Sequence, residues 1–237
     1  PASESVAELR LRPISGPYQR VESRRLQIEP EVSIGHFEDF WGNSVEYFAI
    51  PFRHSSLIIR SSSIVETSAQ ADVDYVSEVT VAESRQIVSR ATIQTIDFRR
   101  PTRLVPLGSV LRGLDRRFVR PDAPIAATVL DINRWIFENF EYVPGATEVG
   151  TPLEQVVKTR KGVCQDFAHL EIAMLRGLGI PARYVSGYLR TFREVEAGEG
   201  FEDAAGAAFF EVRRPPVSTP GGEAFAFPSV FPMVRSG

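Results

Sequence analysis

The stretch that decides the fold is "GVCQDFAHLEIAMLRGLG", which runs from Gly162 to Gly179 and contains the only cysteine of the chain. Apolar residues recur in it at spacings of three and four, which predicts an amphipathic helix that begins near Cys164. Gly179 is a natural stop, because glycine adopts the left-handed conformation that commonly follows a helix. The predicted buried stripe consists of Phe167, Leu170, Met174 and Leu178.

Cys164 has two interpretations at this position. A helix N-terminus carries partial positive charge and unpaired N–H groups, which favour a thiolate and can hold the oxyanion of an attacked carbonyl. That geometry suits acyl transfer through a thioester. A lone cysteine is, however, also a common small apolar core residue. Position alone leaves both interpretations open.

Helical periodicity also governs the sequence before this stretch. In "DAPIAATVLDINRWIFENF", Ile125, Val129, Ile132, Ile136 and Phe140 recur at helical spacing. The segment "TPLEQVVKTRKG" predicts a capping box, with Thr151 as N-cap, Pro152 in the first turn and Glu154 three residues after the cap. After Gly179, "IPARYVSGYLRT" predicts a strand.

The N-terminal part is typical of β-structure. "RRLQIEPEV" (24–32) alternates apolar and polar residues, and "HFEDFWGNSVEYFAI" (36–50) predicts a hairpin that turns at Gly42 and Asn43. In its second strand, Val45, Tyr47 and Ala49 continue the alternation. Two further stretches, "SSLIIRSSSIVET" (55–67) and "DYVSEVTV" (74–81), are rich in β-branched residues and predict strands.

Composition narrows the range of functions. The chain of 237 residues has a net charge of -3, which argues against nucleic acid as the main partner. One cysteine excludes an intramolecular disulfide, and His36, His54 and His169 lack metal-ligand spacing. We therefore expect no metal or other cofactor. Without a long apolar run or a signal peptide, we also expect no membrane partner and a cytoplasmic location.

Two motifs connect the chain to a known family. "GVCQDFAHL", followed by "GIPARYVSGYL", resembles the transglutaminase-like superfamily, in particular its bacterial cysteine-protease branch, and "FEDFWGNSVEYFAI" resembles the β-domain that precedes the core in those proteins. The resemblance implies an α+β fold, with a β-rich domain over residues 1–105. It also implies a papain-like core over 106–237, with helices on a small antiparallel sheet, and Cys164 as nucleophile.

The family's catalytic His and Asp do not have clear counterparts. Loose matching places Ala207 at the position of the histidine and Phe227 at that of the aspartate, so the core is atypical from about residue 192. His169 lies five residues after Cys164, about 140° around a helix, and therefore cannot serve as its base. Asp166 is expected to cap the helix or pair with Arg183. We expect Gln165, and secondarily Asp166, to support an oxyanion site.

Three functions remain open from the sequence. The first is acyl transfer or hydrolysis of peptide or side-chain amides through a Cys164 thioester, impaired by the missing base. The second is an inactive relative that binds a peptide or protein in the same cleft, and the third is a structural role for the β-domain. The unusual C-terminal region has two explanations, natural divergence or an altered or truncated end.

Overall fold

The chain divides into two compact units, Pro1–Val73 and Asp74–Gly237. The computed structural model describes residues 1–16, 19–68, 79–90, 92–189 and the strand at 205–212. The sequence-based division lay later, between residues 105 and 106. Val81 and Val105, which precede that point, belong to the hydrophobic core of the second unit.

The first unit is built from two antiparallel sheets. One has the order β1-β4-β3 and the other pairs β2 with β5. The predicted turn joins β3 to β4, where Gly42 has a φ of 79° and the Asp39 carboxylate accepts hydrogen bonds from the backbone N–H groups of Trp41 and Asn43. The strands are β1 Ser5–Leu9, β2 Gln19–Glu29, β3 Gly35–Glu38, β4 Ser44–Ile50 and β5 Ile58–Thr67.

The core of the first unit contains Ile28, Phe48 and Ile50. β4 alternates as predicted from Glu46 to Ile50, with Tyr47 and Ala49 exposed and Glu46, Phe48 and Ile50 buried; Val45 departs from the alternation because it is buried too. Glu46 lies on the buried face, where its carboxylate pairs with the guanidinium of Arg24 on β2. A buried carboxylate is tolerated when it has such a partner, and it hides the apolar pattern of the strand.

The second unit packs its other helices and the antiparallel strand pair β8–β9 around one central helix, α5. Its larger core includes the predicted stripe of α3, in which Ile125, Val129, Ile132 and Ile136 are buried as expected. The elements are α1 Val81–Arg90, α2 Thr92–Thr95, α3 Ile125–Asn139, β6 Glu141–Tyr142, α4 Leu153–Thr159, β7 Lys161–Gly162, α5 Cys164–Gly177, β8 Ala182–Leu189 and β9 Ala205–Val212. Short 3₁₀ turns lie between α2 and α3.

The N-terminal caps differ from those expected. The sequence predicted a strand over residues 74–81. Residues 74–78 lie outside the described part of the chain, and the helix α1 begins at Val81. It starts with a capping box: the Glu83 carboxylate accepts from the Thr80 N–H at 2.8 Å, and the Thr80 hydroxyl accepts from the Glu83 N–H at 3.2 Å. The box predicted at Thr151 is absent, because that hydroxyl accepts the Glu148 N–H and α4 begins after Pro152.

The helix α5 is buried on nearly every side. Phe167, Leu170, Met174 and Leu178 are buried as predicted. Residues outside that stripe, such as Ile172 and Leu175, are also fully buried. A helix that is apolar all round lies inside a core. Across the described ranges, we find no helix with the length and apolar character needed to cross a bilayer.

Candidate active site around Cys164

Cys164 is the first residue of α5, as predicted, and it is partly buried. The two-residue strand β7 leads into it and pairs in parallel with β6, and the Val143 N–H donates to the Gly162 carbonyl at 3.0 Å. Val163 is the N-cap, with an extended backbone (φ -121°, ψ 178°). The chain therefore turns sharply from a strand into the helix and presents Cys164 at the turn.

Asp166 fastens this turn. Its Oδ2 accepts the Val163 N–H at 2.8 Å and the Thr147 hydroxyl at 2.5 Å, and the residue is only 5% exposed. The prediction that Asp166 caps α5 is confirmed. Gly162 is required by the same contact, because a Cβ at that position would lie 2.9 Å from Asp166 Oδ2 and 3.0 Å from its Cβ.

Gln165 follows the cysteine in the first turn of α5. Its side-chain amide donates to the Val149 carbonyl at 3.4 Å, a long contact at the limit of a hydrogen bond. The backbone N–H groups of a first helical turn lack acceptors within the helix. The role of Gln165 at an oxyanion site stays a prediction.

The strand that would carry the base packs beside the nucleophile helix. β9 pairs antiparallel with β8, with Ala207 opposite Gly187, and both strands pack against α5. Ala207, the position expected for the family's histidine, therefore lies on β9. That strand is the neighbour of β8, which follows α5 in the chain. Phe227, the residue matched to the family's aspartate, lies outside the described residues.

The position of His169 on α5 does not allow it to act as a base for Cys164. The helix is continuous from Cys164 to Gly177, so the 140° separation between the two side chains holds. The imidazole instead packs on the ring of Tyr184 in β8, with 5.2 Å between ring centroids. Burial lowers the pKa of His169; the charge of Asp166 opposes this shift, and that of Arg176 adds to it.

Tyr184 is a neighbour of the cysteine that sequence reasoning missed. Burial raises the pKa of Tyr184, and the negative charges of Cys164 and Asp166 raise it further. Its hydroxyl is thus within electrostatic reach of the thiol. The sequence did indicate that β8 packs against α5, because a strand that directly follows a helix often packs back along it. The apolar pattern did not indicate which residue of that strand lies near Cys164.

The other two histidines have local partners in the first unit. His36 shares a hydrogen bond with the Ser44 hydroxyl, and His54 with the Ser5 hydroxyl, each at 2.9 Å. Within the part of the chain that the structure describes, no three His, Cys, Asp or Glu side chains form a group that could hold a metal ion.

Sequence comparison identifies relatives of both units. Residues 112–216 match the transglutaminase-like superfamily, and residues 1–66 match the bacterial transglutaminase-like N-terminal region. The uncharacterized protein ML0607 of Mycobacterium leprae is 35% identical over 203 residues, which are 85% of this chain and 71% of that protein. The uncharacterized protein Rv2569c of Mycobacterium tuberculosis is 34% identical over 180 residues, 73% of this chain and 56% of that protein.

Structure comparison confirms the fold class. A solved structure of a candidate cysteine protease from Cytophaga hutchinsonii matches with a TM-score of 0.68 and 23% identity, covering 95% of this chain and 71% of that one. At this identity the likeness concerns the fold alone. It supports the α+β architecture predicted from the sequence, with N-terminal strands before a papain-like core.

Proposed function

Because the chain belongs to the transglutaminase-like superfamily, we propose that Cys164 is the nucleophile position of a cleft for peptide or side-chain amides. Acyl transfer there is impaired because the sequence has Ala207 and Phe227 at the positions matched to the family's histidine and aspartate. The observation that carries this proposal is the placement of Cys164 at the first residue of α5, beside a strand that has Ala207 where a histidine is expected.

The reaction needs a proton acceptor at one defined step. The thiol loses its proton, the sulfur attacks the amide carbonyl, and the C–N bond breaks as the amine takes up a proton. Water or a second amine then resolves the thioester, which gives hydrolysis or transamidation. A histidine would accept the first proton and deliver it to the amine. An alanine can do neither.

The second candidate is a binding module without turnover. Ala207 favours this candidate as well. A cleft with alanine at the position of the base can keep its shape while its reaction rate falls by orders of magnitude. In both cases the ligand is a peptide or protein segment, and the two differ in whether Cys164 contributes to turnover.

The decisive experiment measures alkylation of Cys164 by iodoacetamide at pH 6. At that pH an ordinary thiol, with a pKa of about 8.5, is almost entirely protonated. We expect the wild-type protein to react no more than a few times faster than a free thiol. The Ala207→His variant should react roughly 30-fold faster, because an adjacent imidazolium stabilises the thiolate.

Ala208→His is the matched control. It adds the same side chain one position along β9, and neighbouring positions of a strand project to opposite faces. Equal rates in the two histidine variants would refute the assignment of Ala207 to the base position. A wild-type rate at pH 6 already far above that of a free thiol would show that another group acts as base and that the site is not impaired.

Activity assays separate the two candidates. We expect slow hydrolysis of peptide amides, or slow incorporation of an amine into them, that increases in Ala207→His and disappears in Cys164→Ala. Turnover that is equal in wild type and Cys164→Ala would exclude this site as its source. Peptide binding that persists in Cys164→Ala without any turnover in the wild type would favour the binding module.

A further inference from the structure

A cavity of about 390 Å³ lies along one face of α5 in the second unit. The helix contributes His169, Ile172 and Arg176 at spacings of three and four, Tyr184 of β8 forms another wall, and residues 102–105 complete the lining. This volume falls in the range of small-molecule sites. Its wall is apolar at Leu104, Val105 and Ile172 and polar elsewhere.

Arg176 is a fixed cation in this cavity. Its Nε and Nη2 donate to the Ala182 carbonyl at 3.0 and 2.7 Å, and its Nη1 donates to the Arg100 carbonyl at 2.6 Å. These contacts hold the guanidinium in place and leave N–H donors for a ligand, because the group has five. Among the described side chains, which do not include those of the strand at 205–212, no carboxylate forms an ion pair with Arg176.

The other polar groups of the cavity also suit an anion. Arg103 adds a second cation on the exposed side. Neither ring nitrogen of His169 has a hydrogen-bond partner within the described ranges, so the ring can donate to a ligand. The described residues that line the cavity include no acidic side chain. The charge of Asp166 reaches His169, but that carboxylate is engaged by the Val163 N–H and the Thr147 hydroxyl.

We propose that this cavity binds the carboxylate of a small apolar acid, with Arg176 and Arg103 on the carboxylate and Leu104 and the ring of Tyr184 against the apolar part. Arg176 is a partly buried guanidinium with no counter-charge among the described side chains, which favours an anionic ligand, and arginine forms paired hydrogen bonds with carboxylates. An acyl amino acid and the C-terminal residue of a peptide share this chemistry. The proposal does not depend on acyl transfer at Cys164.

The test is a calorimetric titration of the full chain with N-acetylphenylalanine and with its amide, which has the same shape without the charge. We expect the acid to bind and the amide to bind at least about fivefold more weakly. Arg103→Gln should weaken binding of the acid by a similar factor. Arg134→Gln, which removes an exposed arginine of α3 outside the cavity, should leave binding unchanged.

The same titration of Cys164→Ala keeps this result separate from the proposed reaction, because binding should persist when no thioester can form. N-acetylalanylphenylalanine distinguishes the two sources of the carboxylate: tighter binding than N-acetylphenylalanine indicates a peptide terminus, and weaker binding indicates a free acid. Equal affinity for the acid and its amide, or equal effects of Arg103→Gln and Arg134→Gln, would overturn the proposal.

Discussion

Glu171 is a carboxyl group enclosed in the middle of α5, with none of its surface exposed. Asn133 of α3 donates its side-chain N–H to Oε2 at 3.3 Å, and Oε1 has no partner among the described residues. Burial raises the pKa of Glu171 well above its usual range, and the hydrogen bond from Asn133 opposes this shift in part. The folded protein therefore keeps Glu171 protonated at pH values where the unfolded chain ionises it.

This difference sets a direction for the pH dependence of stability. Below pH 4.5 the carboxyl is protonated in both states, and its contribution is fully present. As pH rises from there to the raised pKa of the folded state, only the unfolded chain releases the proton, so the free energy of unfolding falls. The slope is about 1.4 kcal/mol per pH unit for one proton. Up to pH 7, which is 2.5 pH units above the usual value of 4.5, the loss is at most roughly 3 to 4 kcal/mol.

The Glu171→Gln substitution removes the titrating proton and keeps the shape of the side chain. We expect it to match wild type near pH 4.5 and to become more stable than wild type as pH rises. The free energy of unfolding is measured by urea titration from pH 5 to 8. Unfolding is monitored by the fluorescence of Trp135 in a Trp41→Phe background, so that the signal comes only from the second unit. Glu138→Gln, on the exposed face of α3, is the control. Parallel pH profiles of wild type and Glu171→Gln would refute the reasoning.

The turn before Cys164 yields two further predictions, both read by urea unfolding. Asp166→Ala should lower the free energy of unfolding by about 1–2 kcal/mol, because the Val163 N–H and the Thr147 hydroxyl lose their acceptor; an unchanged midpoint would contradict the capping role. Gly162→Ala should cost about 1–3 kcal/mol by overpacking against Asp166. That cost should shrink in an Asp166→Ala background, and simple additivity would show that the contact is not its cause.

The sequence predicted the helix α5 and the place of Cys164 because glycines mark both ends and the apolar spacing is regular. It did not predict the burial of Glu171, since that residue lies outside the stripe defined by Phe167, Leu170, Met174 and Leu178. The indication was the apolar character of the other faces, where Ile172 and Leu175 are also buried. A stripe identifies the most buried face, but it does not show that the remaining faces are exposed.

The helix caps show a second limit of prediction from sequence. Thr80 and Glu83 have the same spacing as Thr151 and Glu154, but only the first pair forms a capping box. The Thr151 hydroxyl is taken by the Glu148 N–H in the preceding turn. A hydroxyl near a helix start can accept from either side, and the local turn decides between them. Sequence spacing alone therefore cannot rank two such candidates.

The motif around Cys164 identifies the fold more firmly than it identifies an activity. Gly162 makes room for Asp166, Asp166 fastens the turn, and Phe167 fills the core. Each of these residues stabilises the entry to α5 whether or not the thiol ever reacts. The position matched to the family's histidine, by contrast, lies on β9, where the chain has Ala207. The motif can thus persist in a protein without turnover, and a histidine introduced at position 207 tests whether the base is the missing part.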